Sequence, residues 1–168
     1  MEVCLGDLTL SVMQPGAAHV ADSGTGALVW QAGPELARCM MQSSAFRPKA
    51  AGFRALELGC GCSALPGFAL ALLGAAEVLI TDEANILEQT QRNLHSYKEA
   101  FANASRSDAA HCELQQLSDA LVARPLSWAS PTALAELARD PGRTLVVAAD
   151  CDYADTLHDI LLDAVTAA

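Results

Sequence analysis

Apolar and polar positions alternate in Leu8-Thr9-Leu10-Ser11-Val12, which predicts a half-buried strand near the start of the chain. Residues 1–32 otherwise read as irregular or hairpin-like, with Gly16 and Gly24-Thr25-Gly26 as punctuation and Ala27-Leu28-Val29-Trp30 as a short apolar run. A helix follows, because Gly33 can cap it, Pro34 suits its first turn, and Leu36, Cys39 and Met40 share one stripe. Residues 42–52 are polar and read mostly as loop. Arg54-Ala55-Leu56-Glu57-Leu58 is then a short buried strand, the glycine turn Gly59-Cys60-Gly61 comes next, and an Ala/Leu helix over 65–73 ends at Gly74. Glu77-Val78-Leu79-Ile80-Thr81 is a second strand, closed by Asp82. Strand, glycine turn, helix and strand together make a βαβ unit with a parallel sheet. Leu87, Thr90, Leu94, Tyr97 and Phe101 recur at three- and four-residue steps, predicting a long helix with one buried face.

The second half is less regular. A third strand is expected within residues 112–117. Ser130-Pro131 opens a helix to about residue 139, Asp140-Pro141-Gly142 turns the chain, and residues 144–149 form an obvious apolar strand. A final helix over 154–165 is amphipathic through Leu157, Ile160, Leu161 and Val165.

Length and composition narrow the class. The 168 residues suit one domain, and 52% apolar against 18% charged residues excludes a disordered tail or a coiled coil. Aromatic residues supply only 5%, so the core must be aliphatic. The net charge is −10 with no run of Lys or Arg, a field that repels nucleic acid and anionic lipid and favours basic protein partners. No secretory leader is visible in Met1-Glu2-Val3-Cys4, and the greasiest stretch, 64–76, is broken by Pro66, Gly67 and Gly74. Cys4, Cys39, Cys60, Cys62, Cys112 and Cys151 are scattered, which reads as reduced thiols in a cytoplasmic or nuclear protein. Cys60-x-Cys62 has no His or Cys neighbours that would make a metal site, so none is expected. His19, His95, His111 and His158 receive no role.

The chemistry concentrates in Glu57-Leu58-Gly59-Cys60-Gly61 and Asp82. Glycines between a parallel strand and a helix let the backbone approach a ligand, and the helix start offers free N–H groups. A carboxylate at the end of the next strand can accept both hydroxyls of a ribose, so the pair points to an adenosine-type cofactor. Gly59, Gly61 and Ala64 also satisfy G-x-G-x-x-A, which keeps a nicotinamide or flavin formally open. Against that stand Glu57, in a strand position that dinucleotide folds keep apolar, and the long Trp-containing segment that precedes the unit.

Gly26-Ala27-Leu28-Val29-Trp30, Ala55-Leu56-Glu57-Leu58-Gly59-Cys60-Gly61, Thr81-Asp82, Asn93, Leu117-Ser118-Asp119 and Ala148-Ala149-Asp150-Cys151-Asp152-Tyr153 follow one another in order. In this order they resemble the methyltransferase-like family of seven-β-strand, S-adenosylmethionine-dependent protein methyltransferases, mostly lysine-directed. Pro125-Leu126-Ser127-Trp128 most resembles the branch of methyltransferase-like protein 22. The resemblance covers residues 24–168 and implies a Rossmann-like class I methyltransferase fold, with residues 1–32 an N-terminal extension and 53–168 the core. It implies S-adenosylmethionine as cofactor. Trp30 and the turn Gly59-Cys60-Gly61 would contact its methionine end, Asp82 its ribose, and Asp119 and Ala149 its adenine. Asp150 and Tyr153 would act at the mouth of the target-amine pocket.

The sequence departs from the family in three places. Cys62-Ser63 stands where most members carry another small residue and a glycine. The family's Trp after the third strand is not evident, because Ala120 follows Asp119. Four strands are expected instead of seven, in the partial order 3-2-1-4, so the fold reads as truncated and the strand at 144–149 as an apolar edge open to a partner. The resulting expectation is a lysine methyltransferase acting on a non-histone protein with a basic segment. Arginine or small-molecule methylation, or a non-catalytic partner-binding form, are the alternatives.

Overall fold

The structure is a computed structural model that describes residues 1–15, 24–104, 110–130, 143–152 and 155–167. The expected helix at 130–139 and turn at 140–142 lie almost wholly outside them.

The alternation near the start does produce a hairpin. β1 (Glu2–Leu5) and β2 (Leu8–Ser11) pair antiparallel, with Val3 opposite Leu10 and Leu5 opposite Leu8, and these four bury one shared face. A single 3-10 turn (Thr25–Ala27) stands in the Gly24–Trp30 stretch. α1 (Ala32–Gln42) starts one residue before the expected cap at Gly33, and buries Pro34, Ala37 and Met40. Ala37, not the exposed Cys39, occupies the stripe, because the steps from Gly33 through Ala37 to Met40 follow the helical period. A one-turn helix, α2 (Arg47–Ala50), lies in the stretch expected to be loop.

β3 (Arg54–Leu58), α3 (Leu65–Leu72) and β4 (Glu77–Asp82) form the βαβ unit where the pattern placed it, with Ala55 beside Val78 and Leu58 beside Thr81 in parallel register. α4 (Ala84–Ala104) buries Leu87, Thr90, Asn93, Leu94 and Tyr97. Residues 112–117 are helical, not a strand. They lie in α5 (Ala110–Ala120), where Leu114, Leu117 and Ala120 recur every three residues, and β5 (Leu121–Pro125) follows directly. β6 (Thr144–Ala148) pairs parallel with β3, and α6 (Asp155–Ala167) ends the description, with Leu157, Ile160 and Leu161 of its expected stripe half-buried and Val165 exposed.

The sheet runs β5-β4-β3-β6, the order the resemblance implied, and the fold is α/β with a parallel sheet flanked by helices. Alternation assigns its two faces. Ala55, Val78 and Ile80 join Phe68, Leu70, Leu94 and Tyr97 in the larger core, which the hairpin residues Val3 to Val12 extend. Leu56, Leu58 and Leu79 pack on the other face with Leu126, Val146 and Leu161. Among the described residues β6 bonds on one side only, and no helix is long and apolar enough to cross a membrane. The chain leaves β3 towards β4 and β5, then returns to lay β6 on the opposite side of β3. That reversal opens a crevice at the carboxyl ends of β3 and β6.

Candidate cofactor cleft

A cleft of about 270 Å³ occupies this crevice, and every strand of the sheet contributes to its wall just past its carboxyl end. Gly59 and Gly61 follow β3, Asp82 closes β4, Leu126 and Trp128 follow β5, and Ala149, Asp150 and Cys151 follow β6. Trp30 and the turn around Thr25 cover the cleft from the segment before α1.

The floor is the glycine turn. Gly59 and Gly61 sit at φ of 62° and 57°, a left-handed backbone that L side chains adopt at a cost. A Cβ on Gly59 would stand 2.7 Å from Cys151 Sγ and 2.8 Å from Trp128 Cζ2, so only glycine leaves this wall intact. Three side chains from the buried face of α4 fix the turn's far end. Thr90 Oγ1 donates to Gly61 O (2.9 Å), Asn93 Nδ2 to Cys62 O (2.7 Å), and the Tyr97 hydroxyl to Ser63 O (2.9 Å). Asn93 also accepts from Met13 N–H (2.8 Å) and donates to Met13 O (2.7 Å), tying the end of the hairpin to the turn.

Carboxylates ring the site. Asp82 Oδ2 accepts from Gly61 N–H (2.8 Å) and Oδ1 from Glu83 N–H (2.7 Å). Burial pushes the Asp82 carboxyl upward, and those two N–H groups pull it back. Glu57 lies buried in a small recess beside the cleft, accepting from Gly67 N–H (2.9 Å). Burial raises its carboxyl to about 8 against that hydrogen bond, and Asp82 adds to the rise. Glu83 and Asp150 complete the acidic lining, and no Lys or Arg is among the described residues of the wall. Cys151, whose thiol donates to Leu58 O (3.2 Å), is pushed by burial to about 12 and is an inert wall residue.

The structure brings Trp30, Gly59, Gly61, Asp82, Ala149 and Asp150 together on one cleft. Trp30 remains 50% exposed, with its indole Nε1–H donating to Thr25 O (2.9 Å). Cys60 lines the recess with Glu57, and its buried side chain donates to Gly61 O (3.2 Å). Tyr153 lies outside the described residues. Asp119, expected near an adenine, is elsewhere. It is exposed on α5, accepts from Gln115 Nε2 (2.8 Å), and lines a separate groove with Leu72 and Phe101. The cause is the position of the third strand: Asp119 precedes β5, on the side away from its carboxyl end, whereas the residues β5 gives to the cleft follow it. A Trp does follow the third strand of the sheet once that strand is placed at β5: Trp128 comes after it and lines the cleft. Leu126 and Cys151 were missed as well, and a correct end for β5 and β6 is the signal that finds them.

Comparison with known proteins agrees with this geometry. A family model described as lysine methyltransferase matches residues 17–167, while no curated protein matches the chain. The match spans every strand of the four-stranded sheet and every wall of the cleft, and leaves outside it the hairpin and the residues up to 16. The chemistry of that family is methyl transfer from S-adenosylmethionine. This chain belongs to the lysine methyltransferase family.

Proposed function

We propose that the cleft binds S-adenosylmethionine and that the protein methylates lysine side chains of a non-histone protein through a basic segment, in the cytoplasm or nucleus. The observation that carries this reading is the wall itself: three carboxylates and two indoles, with no described base, at the carboxyl ends of a parallel sheet.

The residues fit such a cofactor. The left-handed Gly59 and Gly61 let backbone approach it, and Asp82 keeps lone pairs beyond its two N–H bonds with which to accept ribose hydroxyls. When bound, this cofactor supplies an electrophilic methyl group on a sulfonium. Carboxylates and aromatic faces both complement positive charge, so the same wall suits a sulfonium and an incoming ammonium. Glu83 and Asp150 draw a lysine towards the cleft, and Trp30 and Trp128 restrict water around it. Little acid–base assistance is needed beyond orienting an amine that has lost its proton.

The test uses the purified chain. Calorimetry should show S-adenosylmethionine binding, and labelled methyl groups should pass to a lysine-rich protein. An absence of binding overturns the cofactor reading. Transfer to arginine alone, or to a neutral small molecule, overturns the lysine reading.

A further inference from the structure

The Trp30 segment is tied down at both ends by side chains from remote parts of the chain. The Val29 N–H donates to Oε1 of Gln14 (3.1 Å). The Ala32 N–H, the first of α1, donates to Oδ2 of Asp150 (2.7 Å) across 118 residues of sequence. Between these anchors the Trp30 indole bonds Thr25 O and covers the cleft.

α1 lacks a cap of its own. Gln31 occupies the capping position and makes no side-chain cap bond. The first N–H groups of a helix need an acceptor, and its positive end favours a carboxylate. Asp150 fills that place from the far side of the cleft. Its backbone is left-handed (φ 55°), which is strained for a non-glycine residue and which Asp and Asn tolerate best. The strain falls on a residue whose carboxylate joins β6 to the start of α1 and whose position is in the cleft wall.

We infer that Asp150 is a positioning residue: through the Ala32 N–H it fixes the start of α1, and with it Trp30, against the cofactor cleft. This rests on the reading of the cleft as the S-adenosylmethionine site. Oδ2 is committed to Ala32, so the carboxylate presents the acceptor with its charge and its other oxygen only. One residue then couples the acceptor side of the site to the cofactor side.

Two variants separate this role from that of a plain negative charge. Asp150→Gly keeps the left-handed backbone and removes the acceptor atom. Asp150→Asn keeps an acceptor oxygen and the tolerated backbone but removes the charge. Cofactor affinity is measured by calorimetry in each. Trp30 emission and acrylamide quenching are read without cofactor in a Trp128→Phe background, where Trp30 is the one remaining Trp of the two. Asp150→Gly should weaken S-adenosylmethionine binding by roughly tenfold, the worth of one lost charge-assisted hydrogen bond. It should also shift Trp30 emission to the red and make it easier to quench. Asp150→Asn should recover both the affinity and the emission while raising KM for the basic acceptor. The inference is overturned if Asp150→Gly leaves Trp30 emission unchanged, or if Asp150→Asn is as damaging as Asp150→Gly. Failure of the parent chain to bind cofactor would instead overturn the functional reading, and Trp30 emission would still decide the positioning role.

Discussion

Replacing Gly59 by Val should destroy the cleft while Cys62→Ala spares it, although both residues belong to the same turn. Gly59 sits at φ 62°, where an L residue costs roughly 1–2 kcal/mol and a β-branched one more. Its Cβ would press 2.7 Å from Cys151 Sγ and 2.8 Å from Trp128 Cζ2, an overpacking of about 1–3 kcal/mol. Together these lower stability by about 2–5 kcal/mol, and the clash displaces the two side chains that wall the cleft. Cofactor affinity should fall at least about a hundredfold, because the turn can no longer approach a ligand and Trp128 must move. Cys62 contributes to the turn through its backbone, with its N–H on Gly26 O (2.8 Å) and its carbonyl on Asn93, and Ala keeps both. Loss of its buried thiol costs roughly 1 kcal/mol of stability, with affinity held within about threefold. Calorimetry gives the affinities, and urea unfolding gives the stabilities. A folded Gly59→Val protein that binds cofactor normally, or equal losses in the two variants, would refute the assignment of this turn.

Asp82→Ala should weaken S-adenosylmethionine binding by roughly 1.5–3 kcal/mol, the range for losing a charged hydrogen-bonding partner. Unchanged affinity in the folded variant counts against the cofactor site. Glu57 makes stability pH-dependent with a definite sign. Its folded carboxyl titrates near 8 against an ordinary value of 4.5, so the folded protein holds the proton that the unfolded chain releases, and this contribution declines as pH rises from about 4.5 to about 8. Urea unfolding across that window should show a smaller decline in Glu57→Gln, and identical slopes would show that Glu57 carries no strained proton. With a chain charge of −10, kcat/KM for a basic protein acceptor should fall as salt rises from about 0.01 to 0.15 M, while kcat changes little. A salt-independent kcat/KM would mean that the acidic mouth does not steer the acceptor.

The first half of the fold was legible because period and punctuation agreed. Residues 54–58 form a short apolar run bounded by a glycine turn, and a second run at 77–82 ends in Asp82, so strand, turn and strand fell at the bounds the pattern set. The second half failed at one place with consequences for the site. Leu114, Leu117 and Ala120 recur at every third position, but so short a Leu-containing stretch also suggests a strand, and the true strand at β5 is weakly marked because Leu121-Val122-Ala123 runs into Arg124-Pro125. Since sites of this fold lie just past strand ends, setting the third strand at 112–117 instead of 121–125 moves the cleft's third wall from Trp128 to Asp119.

What no local pattern could supply is the set of polar bonds that hold the turn and the Trp30 segment. Thr90 and Tyr97 sit on the buried face of α4, and spacing alone identifies them as core. They are core, and their hydroxyls also lie beside successive carbonyls of the glycine turn, with Asn93 between them. That double role follows from polar accounting: a turn with two left-handed glycines carries carbonyls that no helix or strand takes up, and burial requires donors for them. The donors come from α4, which follows β4 directly and sets Tyr97 edge-on against Phe68 of α3, beside the turn. The same requirement at the start of α1 is met by Asp150, which no spacing rule connects to Ala32. Trp30, Gly59, Gly61, Asp82, Ala149 and Asp150 of the cleft wall are therefore readable from motifs, whereas the residues that support them become visible once each buried backbone group is asked for its partner.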